Sequence, residues 1–258
     1  MIVACLALAA CAGQRPARGG VVSADYCADL VVTSLLPPER IASLSPEIGA
    51  EELAPAYRAL PRIRARLEEV VALRPDVVVR SYGGGPRLGT ALAAAGVRTL
   101  SLESSSSLDE VAGETIRLGR ELGASEAAER QVRALRSARH APAPGSYRDA
   151  LYLTPGSVTS GPDGLIGELF REAQLRSVEQ RPGWHALPVE RLARHRPDVV
   201  VRAFWDSPRH RQDRWSAAVR PTVATMLDGV PSIELDGRSV ACGTAHVTDA
   251  LQRLKGNG

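Results

Sequence analysis

Side chains able to grip a small molecule are scarce in this sequence, and they fall in informative places. Only 4% of the residues are Phe, Trp or Tyr. Tyr26 follows the first apolar run, Tyr82 follows Val77–Arg80, Trp184 sits in a Gly- and Pro-containing segment, and Phe204 and Trp205 follow Val199–Arg202. Aromatics of a core sit inside helices and strands. These sit where elements end, which is where a scaffold presents a binding surface. Arg80 and Arg202 add permanently charged forks that match a carboxylate, and Thr159 adds a hydroxyl. Tyr26, Arg80, Tyr82, Thr159, Trp184, Arg202, Phe204 and Trp205 are therefore the candidate ligand contacts.

The usual catalytic spacings are not found. Gly156–Gly161 resembles a GxSxG nucleophile turn only superficially. Gly83-Gly84-Gly85 lacks the Lys of a phosphate loop. His140, His185, His195, His210 and His246 are scattered, with no HExxH and no Cys/His zinc spacing. Of these, only His185 and His210 fall in loops where a metal could be held, and no acidic cluster accompanies them. The sequence calls for neither a metal site nor a cofactor.

The elements that must position the contacts are set by a repeat. Arg74–Arg80 reads RPDVVVR, and so does Arg196–Arg202. A Glu stands seven residues before the Pro in each copy, Glu68 and Glu190, followed by apolar residues at helical spacing. Proline disfavours helix at the residue before it, so each helix stops near the Arg. Three valines without polar alternation read as a strand buried on both faces, as in a parallel sheet. Each copy is thus a short helix, a Pro-Asp turn and a buried strand, and the chain reads as a duplication. The fold expected is α/β: two Rossmann-like lobes with parallel-rich sheets, joined by a long connecting helix, with the ligand cleft between them. Open α/β sheets bind ligands at the carboxyl ends of their strands. Approximate two-fold symmetry then sets Arg80 and Arg202 on opposite walls as a basic pair for an anionic ligand.

The 258 residues suit two lobes of ordinary size. A net charge of +3, scattered over many arginines, does not argue for nucleic acid. Residues 1–11 are apolar and small, and read as an export signal; residues 12–20 are a polar tether. The N-terminal lobe is expected over 21–103, an interlobe helix and linker over 104–145, and the C-terminal lobe over 146–258. Within these, Ala50–Leu60 reads as a short helix, Arg181–Pro188 as a loop holding Trp184, and Trp215–Leu227 as a helix. Ser107 and Glu110 form a capping box at the start of the connector, and Gly123 marks a break in it. An oxidising compartment allows Cys27 and Cys242 to pair across the lobes; the sequence leaves open whether they do.

Leu8-Ala9-Ala10-Cys11 resembles a bacterial lipobox, which implies lipidation of Cys11. The two helix–Pro-Asp–strand units, the interlobe helix and this lipobox together resemble the cobalamin, iron-siderophore and haem substrate-binding proteins of ABC importers, the class III periplasmic type, over roughly Val21–Leu254. The resemblance implies a periplasmic, lipid-anchored, monomeric binding protein. Its ligand is a metal chelate and its partners are an ABC permease and ATPase. It also implies that Glu68 and Glu190 dock on permease arginines, that Trp184 faces the cleft, and that Thr159-Ser160-Gly161 forms a hairpin facing the ligand. Cys27 and Cys242 resemble a subset of the family with cysteines in these places. An enzyme on the same scaffold, a hydrolase or chelatase, is the alternative.

Overall fold

The computed structural model describes residues 19–143, 148–187, 189–205 and 221–256. The export signal, Cys11, most of the tether, His210, Trp215 and the first part of the helix expected after it lie outside them.

The first lobe runs β1 (Val21–Ser23), α1 (Tyr26–Leu35), β2 (Ile41–Ser43), α2 (Leu67–Ala72), β3 (Val77–Arg80), α3 (Gly85–Ala94) and β4 (Thr99–Ser101). Two helices follow, α4 (Leu108–Glu121) and α5 (Ser125–His140). The second lobe runs β5 (Arg148–Leu153), β6 (Val158–Ser160), α6 (Leu165–Glu172), β7 (Leu175–Ser177), β8 (Trp184–Ala186), α7 (Val189–Leu192), β9 (Val199–Ala203), α8 (Pro221–Met226), β10 (Ser232–Leu235) and α9 (Val247–Lys255).

The duplication is visible in the sheets. The first has strand order β2-β1-β3-β4 and the second β10-β9-β5-β7, all parallel. The two repeat strands, β3 and β9, hold equivalent inner positions. Val77 and Val79 face one apolar cluster and Val78 the other; Val199 and Val201 against Val200 do the same. Each fully buried Val contributes about 1.5–3 kcal/mol relative to exposure. The repeat's Asp also acts identically in both copies. Asp76 accepts from Gly20 N at 2.8 Å, and Asp198 from Asp149 N at 2.7 Å, so each clamps the start of the neighbouring strand.

The connector is two helices rather than one. Gly123 adopts φ +60° and turns the chain, and α5 packs back along α4. Gly119 allows the close approach, since a Cβ there would lie 2.3 Å from that of Ala128. Leu108, Val111 and Leu135 join the core of the second lobe, while Leu118, Leu122 and Ala128 join that of the first. Each helix therefore packs on both lobes, which makes a stiffer brace than a single crossing. Ser107 caps α4 through Glu110 N at 3.2 Å, but the Glu110 carboxylate reaches back to Ser106 N, one residue earlier than the box predicts.

Two expectations are corrected. Ala50–Leu60 holds turns and one 3-10 turn at Pro55–Tyr57, because Pro55 and Pro61 break a longer helix. Trp184 lies not in a loop but in β8, paired antiparallel with β6. The helix expected over Trp215–Leu227 is helical where it is described, over α8.

Candidate functional site

The wall contributed by the first lobe is organised by Asp25, which sequence reasoning missed. Its carboxylate is buried and caps α1, accepting from Ala28 N at 3.0 Å. It also accepts from Ser81, Tyr82 and Gly83 N–H at 2.6, 3.1 and 2.8 Å. One side chain thus fixes the loop after β3 against the start of α1. Gly83 is required there, because a Cβ would lie 2.2 Å from Ala24 O. Arg80 braces the same loop from the other side, donating to Gly83 O at 3.2 Å and Gly85 O at 2.8 Å.

This scaffold presents two phenols, each on a carboxylate. Tyr82 is 52% exposed and donates to Glu47 at 2.6 Å. Tyr26, half-buried in the first turn of α1, donates to Glu52 at 2.6 Å. Burial, then the hydrogen bond to the carboxylate, pushes both phenol pKa values up, so both stay protonated. Tyr26 belongs to a helix rather than a strand end.

Below them, buried Asp29 accepts from Ser45 N at 2.9 Å and Ser45 Oγ at 2.5 Å. Burial outweighs these bonds and raises its pKa from 3.8 to about 6. The native state therefore keeps a proton that the unfolded chain releases. This contribution to stability is complete below pH 3.8 and lost as pH rises through about 6. Asn keeps the shape and the acceptor for Ser45 N without the charge, and its amide N–H can donate to Ser45 Oγ in place of accepting from it. Asp29→Asn is expected to flatten the difference in stability between pH 4 and 6 by up to about 2 kcal/mol. Denaturant titrations at the two pH values check this; an equal slope in both proteins refutes it.

In the second lobe, β6 and β8 form a ribbon over the sheet, with Ser160 opposite Trp184 and Thr159 opposite His185. Trp184 is 58% exposed and stands edge-on to buried Tyr152, ring centroids 5.7 Å apart. Thr159 is a correction. It is fully buried and donates to Tyr152 O at 2.7 Å, so it fastens the ribbon to β5 and does not reach the cleft. Arg202 pairs with Glu234 at 3.1 Å and lies 4.2 Å over the Trp205 ring. Phe204 takes φ +69° and is half-buried against the second core, where Gly237 makes room for its ring. The basic pair expected of Arg80 and Arg202 is also corrected. Both occupy equivalent strand ends, but each is committed within its own lobe.

The two walls meet. Arg238, held by both oxygens of Asp236, donates to Glu52 O across the lobes at 2.8 Å. Cys27 at the start of α1 and Cys242 after β10 form a disulfide, Cα atoms 5.6 Å apart. The carboxyl edges of the two sheets are therefore face to face, with Tyr26, Glu52, Arg238 and the disulfide at their junction. Among the described residues, no group of three or more His, Cys, Asp or Glu gathers to hold a metal. No described helix is long and apolar enough to cross a membrane.

A family model described as "Periplasmic binding protein" matches residues 42–214, well over half of the chain. The chain belongs to the periplasmic binding protein family. No curated protein sequence matches it. Among solved structures it is similar to the periplasmic haem-binding protein HutB of Vibrio cholerae, at 16% identity and TM-score 0.70, over 93% of this chain and 98% of that one. It is also similar to the periplasmic vitamin B12-binding protein BtuF of Vibrio cholerae, at 16% identity and TM-score 0.63, over 93% and 96%. A third is an ABC-type Fe3+-hydroxamate transport system structure from Saccharomonospora viridis, at 18% identity and TM-score 0.70, over 93% and 92%. At these identities the likeness establishes the two-lobed fold of the class III type.

In this periplasmic binding protein, Glu68 and Glu190 both stand exposed in the first turns of α2 and α7. Among the described residues neither carboxylate has an ion-pair partner. Glu47, Glu52, Asp236 and Arg238 carry no motif that would single them out in the sequence. Asp25 does carry one: an Asp directly before a helical run is a preferred N-cap.

Proposed function

We propose that this protein captures a metal-chelate ligand (ferric siderophore, haem or cobalamin) outside the cytoplasmic membrane and delivers it to an ABC importer. One observation carries the reading. Among the described residues, the large hydrophobic side chains left exposed are Val71, Tyr82, Val158 and Trp184. Tyr82 stands at a carboxyl strand edge of one lobe, and Trp184 and Val158 on the ribbon beside the equivalent edge of the other. Val71 lies one turn from Glu68 on α2. Exposed apolar surface thus concentrates on the cleft and on one docking helix, where partners would cover it. A broad, flat chelate suits aromatic walls, and the Tyr82 phenol, held on Glu47, adds a polar edge beside them. Trp205, backed by Arg202, extends the aromatic wall. Tyr26 serves the junction of the lobes at one end of the cleft.

Titration with haem, a ferric hydroxamate siderophore and cyanocobalamin, followed by tryptophan quenching, tests the proposal. One of them is expected to bind at micromolar concentration or below. Tyr82→Ala and Trp184→Ala are each expected to weaken it about tenfold or more, the loss of an aromatic anchor of roughly 1.4 kcal/mol or above. Failure of all three probes, together with turnover of an ester, would transfer the fold to the enzymatic reading. Glu68 and Glu190 would dock on the permease, and Cys11 would carry the lipid that holds the protein at the membrane. Cys11→Ser is expected to move the protein from the membrane fraction to the soluble one; retention in the membrane fraction refutes the anchor.

A further inference from the structure

The second lobe contains a carboxylate that neither wall uses. Glu179 follows β7, and its side chain is 1% exposed. One oxygen, Oε1, gathers all its partners. It accepts from Arg181 N–H at 2.7 Å and lies 3.3 Å from Arg191 Nη1, 3.6 Å from Arg181 Nε and 3.9 Å from His185 Nε2. The other, Oε2, is buried without a hydrogen-bond partner. A buried carboxylate with one bare oxygen is costly and leans heavily on the partners it has. Its backbone is fixed separately, through Ser177 Oγ at 3.2 and 2.9 Å.

Those partners come from three places. Arg181 opens the segment leading into β8. His185 lies in β8 beside Trp184. Arg191 lies in α7 beside Glu190. A single buried charge therefore ties the ribbon that presents Trp184 to the helix that presents Glu190.

We infer that Glu179 is a positioning residue that fixes the Trp184 ribbon at the cleft and couples it to helix α7. The inference rests on the roles proposed above for Trp184 and Glu190. Arg191 and Arg181 are 41% and 54% exposed, so a partner engaging α7 can draw Arg191 outward while Glu179 stays buried. The carboxylate then depends on Arg181 and His185 alone, and the ribbon that carries both must shift toward it. Coupling runs through one contact that is either made or broken, which is the physical requirement for linked sites.

The test reads Trp184 without any ligand. Trp205→Phe and Trp215→Phe leave Trp184 as the sole tryptophan, since the chain has three. Glu179→Gln keeps the shape and an acceptor for Arg181 N–H but removes the charge. It is expected to raise acrylamide quenching of Trp184 and lower its anisotropy. Arg191→Gln, which removes the competing partner on α7, is expected to change both in the opposite direction, because the ribbon is then drawn toward the carboxylate. The double variant is expected to match Glu179→Gln alone, because coupled residues are not additive. In the parent protein, Glu179→Gln is expected to weaken whichever of haem, ferric hydroxamate and cyanocobalamin binds by about tenfold. An unchanged Trp184 signal in Arg191→Gln, or additive effects, overturns the inference. If Glu179→Gln does not fold, the half-exposed Arg191→Gln still decides it. Failure of all three ligands to bind sinks the transport reading and leaves the Trp184 result standing on its own.

Discussion

Charge reversal of Glu68 and Glu190 together, to Lys, is expected to abolish ligand delivery while leaving ligand affinity within about twofold. The neighbours of each residue show why these positions, and not others nearby, are suited to a partner. Glu69 is turned back on its own lobe, accepting from Arg64 N at 3.1 Å and facing Arg66 at 3.9 Å. Arg191 is turned inward to Glu179 at 3.3 Å. Glu68 and Glu190 are the members of each pair that point outward. Both stand in a first helical turn, where the local backbone already favours a negative charge, so reversal costs about 0.3–1 kcal/mol of stability at each site. At an interface the effect is far larger. Breaking a desolvated charge pair costs about 2–5 kcal/mol, and reversal adds repulsion. Two such losses amount to at least a thousandfold in complex formation. Uptake by cells, set beside ligand titration of the purified variant, checks this. Uptake near the wild-type rate in the double variant sinks the docking assignment. A parallel loss of ligand affinity moves both residues to the cleft.

How far the sequence carries depends on whether a feature is encoded locally. The twin RPDVVVR units encode strand, turn and burial in adjacent residues, so the paired parallel sheets and their equivalent inner strands are legible in the order of the amino acids alone. The β6–β8 ribbon is not, because its strands are three residues long and pair across two dozen residues. Strand β7 is missed for a similar reason. It begins immediately after Gln174 turns at φ +54°, with a central Arg pointing outward. Site residues divide in the same way. Tyr82 and Trp184 are legible because exposed aromatics are rare here. Thr159 is misread because its hydroxyl can be satisfied within the chain, and the partner is a backbone carbonyl on another strand. Arg80 and Arg202 hold symmetric positions, as the repeat implies. Symmetry of position does not fix where five donors point, and carbonyls in one lobe and Glu234 in the other settle that. Asp25 is the instructive miss. Its N-cap position is visible in the sequence, but three of its four hydrogen bonds go to a loop more than fifty residues away.

Opening the Cys27–Cys242 bridge is expected to lower the melting temperature by roughly 5–15 °C, which corresponds to about 2–5 kcal/mol in a chain of this size. The bridge closes a sequence separation of 215 residues, which spans almost all of both lobes. In the chain-entropy account a loop of that length restricts the unfolded ensemble by about 5 kcal/mol, an upper bound because residual structure reduces it. In the native state the lobes are already braced by α4 and α5, so most of the effect comes from the unfolded chain. The remainder is local. Cys27 is next to Tyr26, whose phenol holds Glu52, and the Glu52 carbonyl accepts from Arg238 of the other lobe. Freeing Cys27 loosens that junction at the end of the cleft. Cys27→Ser and Cys242→Ser should therefore shift the melting temperature equally, and the double variant no further than either. Calorimetry with and without a reductant checks this, with thiol counting to show that the bridge has opened. The wild type should fall to the level of the variants and the variants should not move. A wild-type melting temperature unchanged once two thiols are free would mean that the lobes are held together without the bridge.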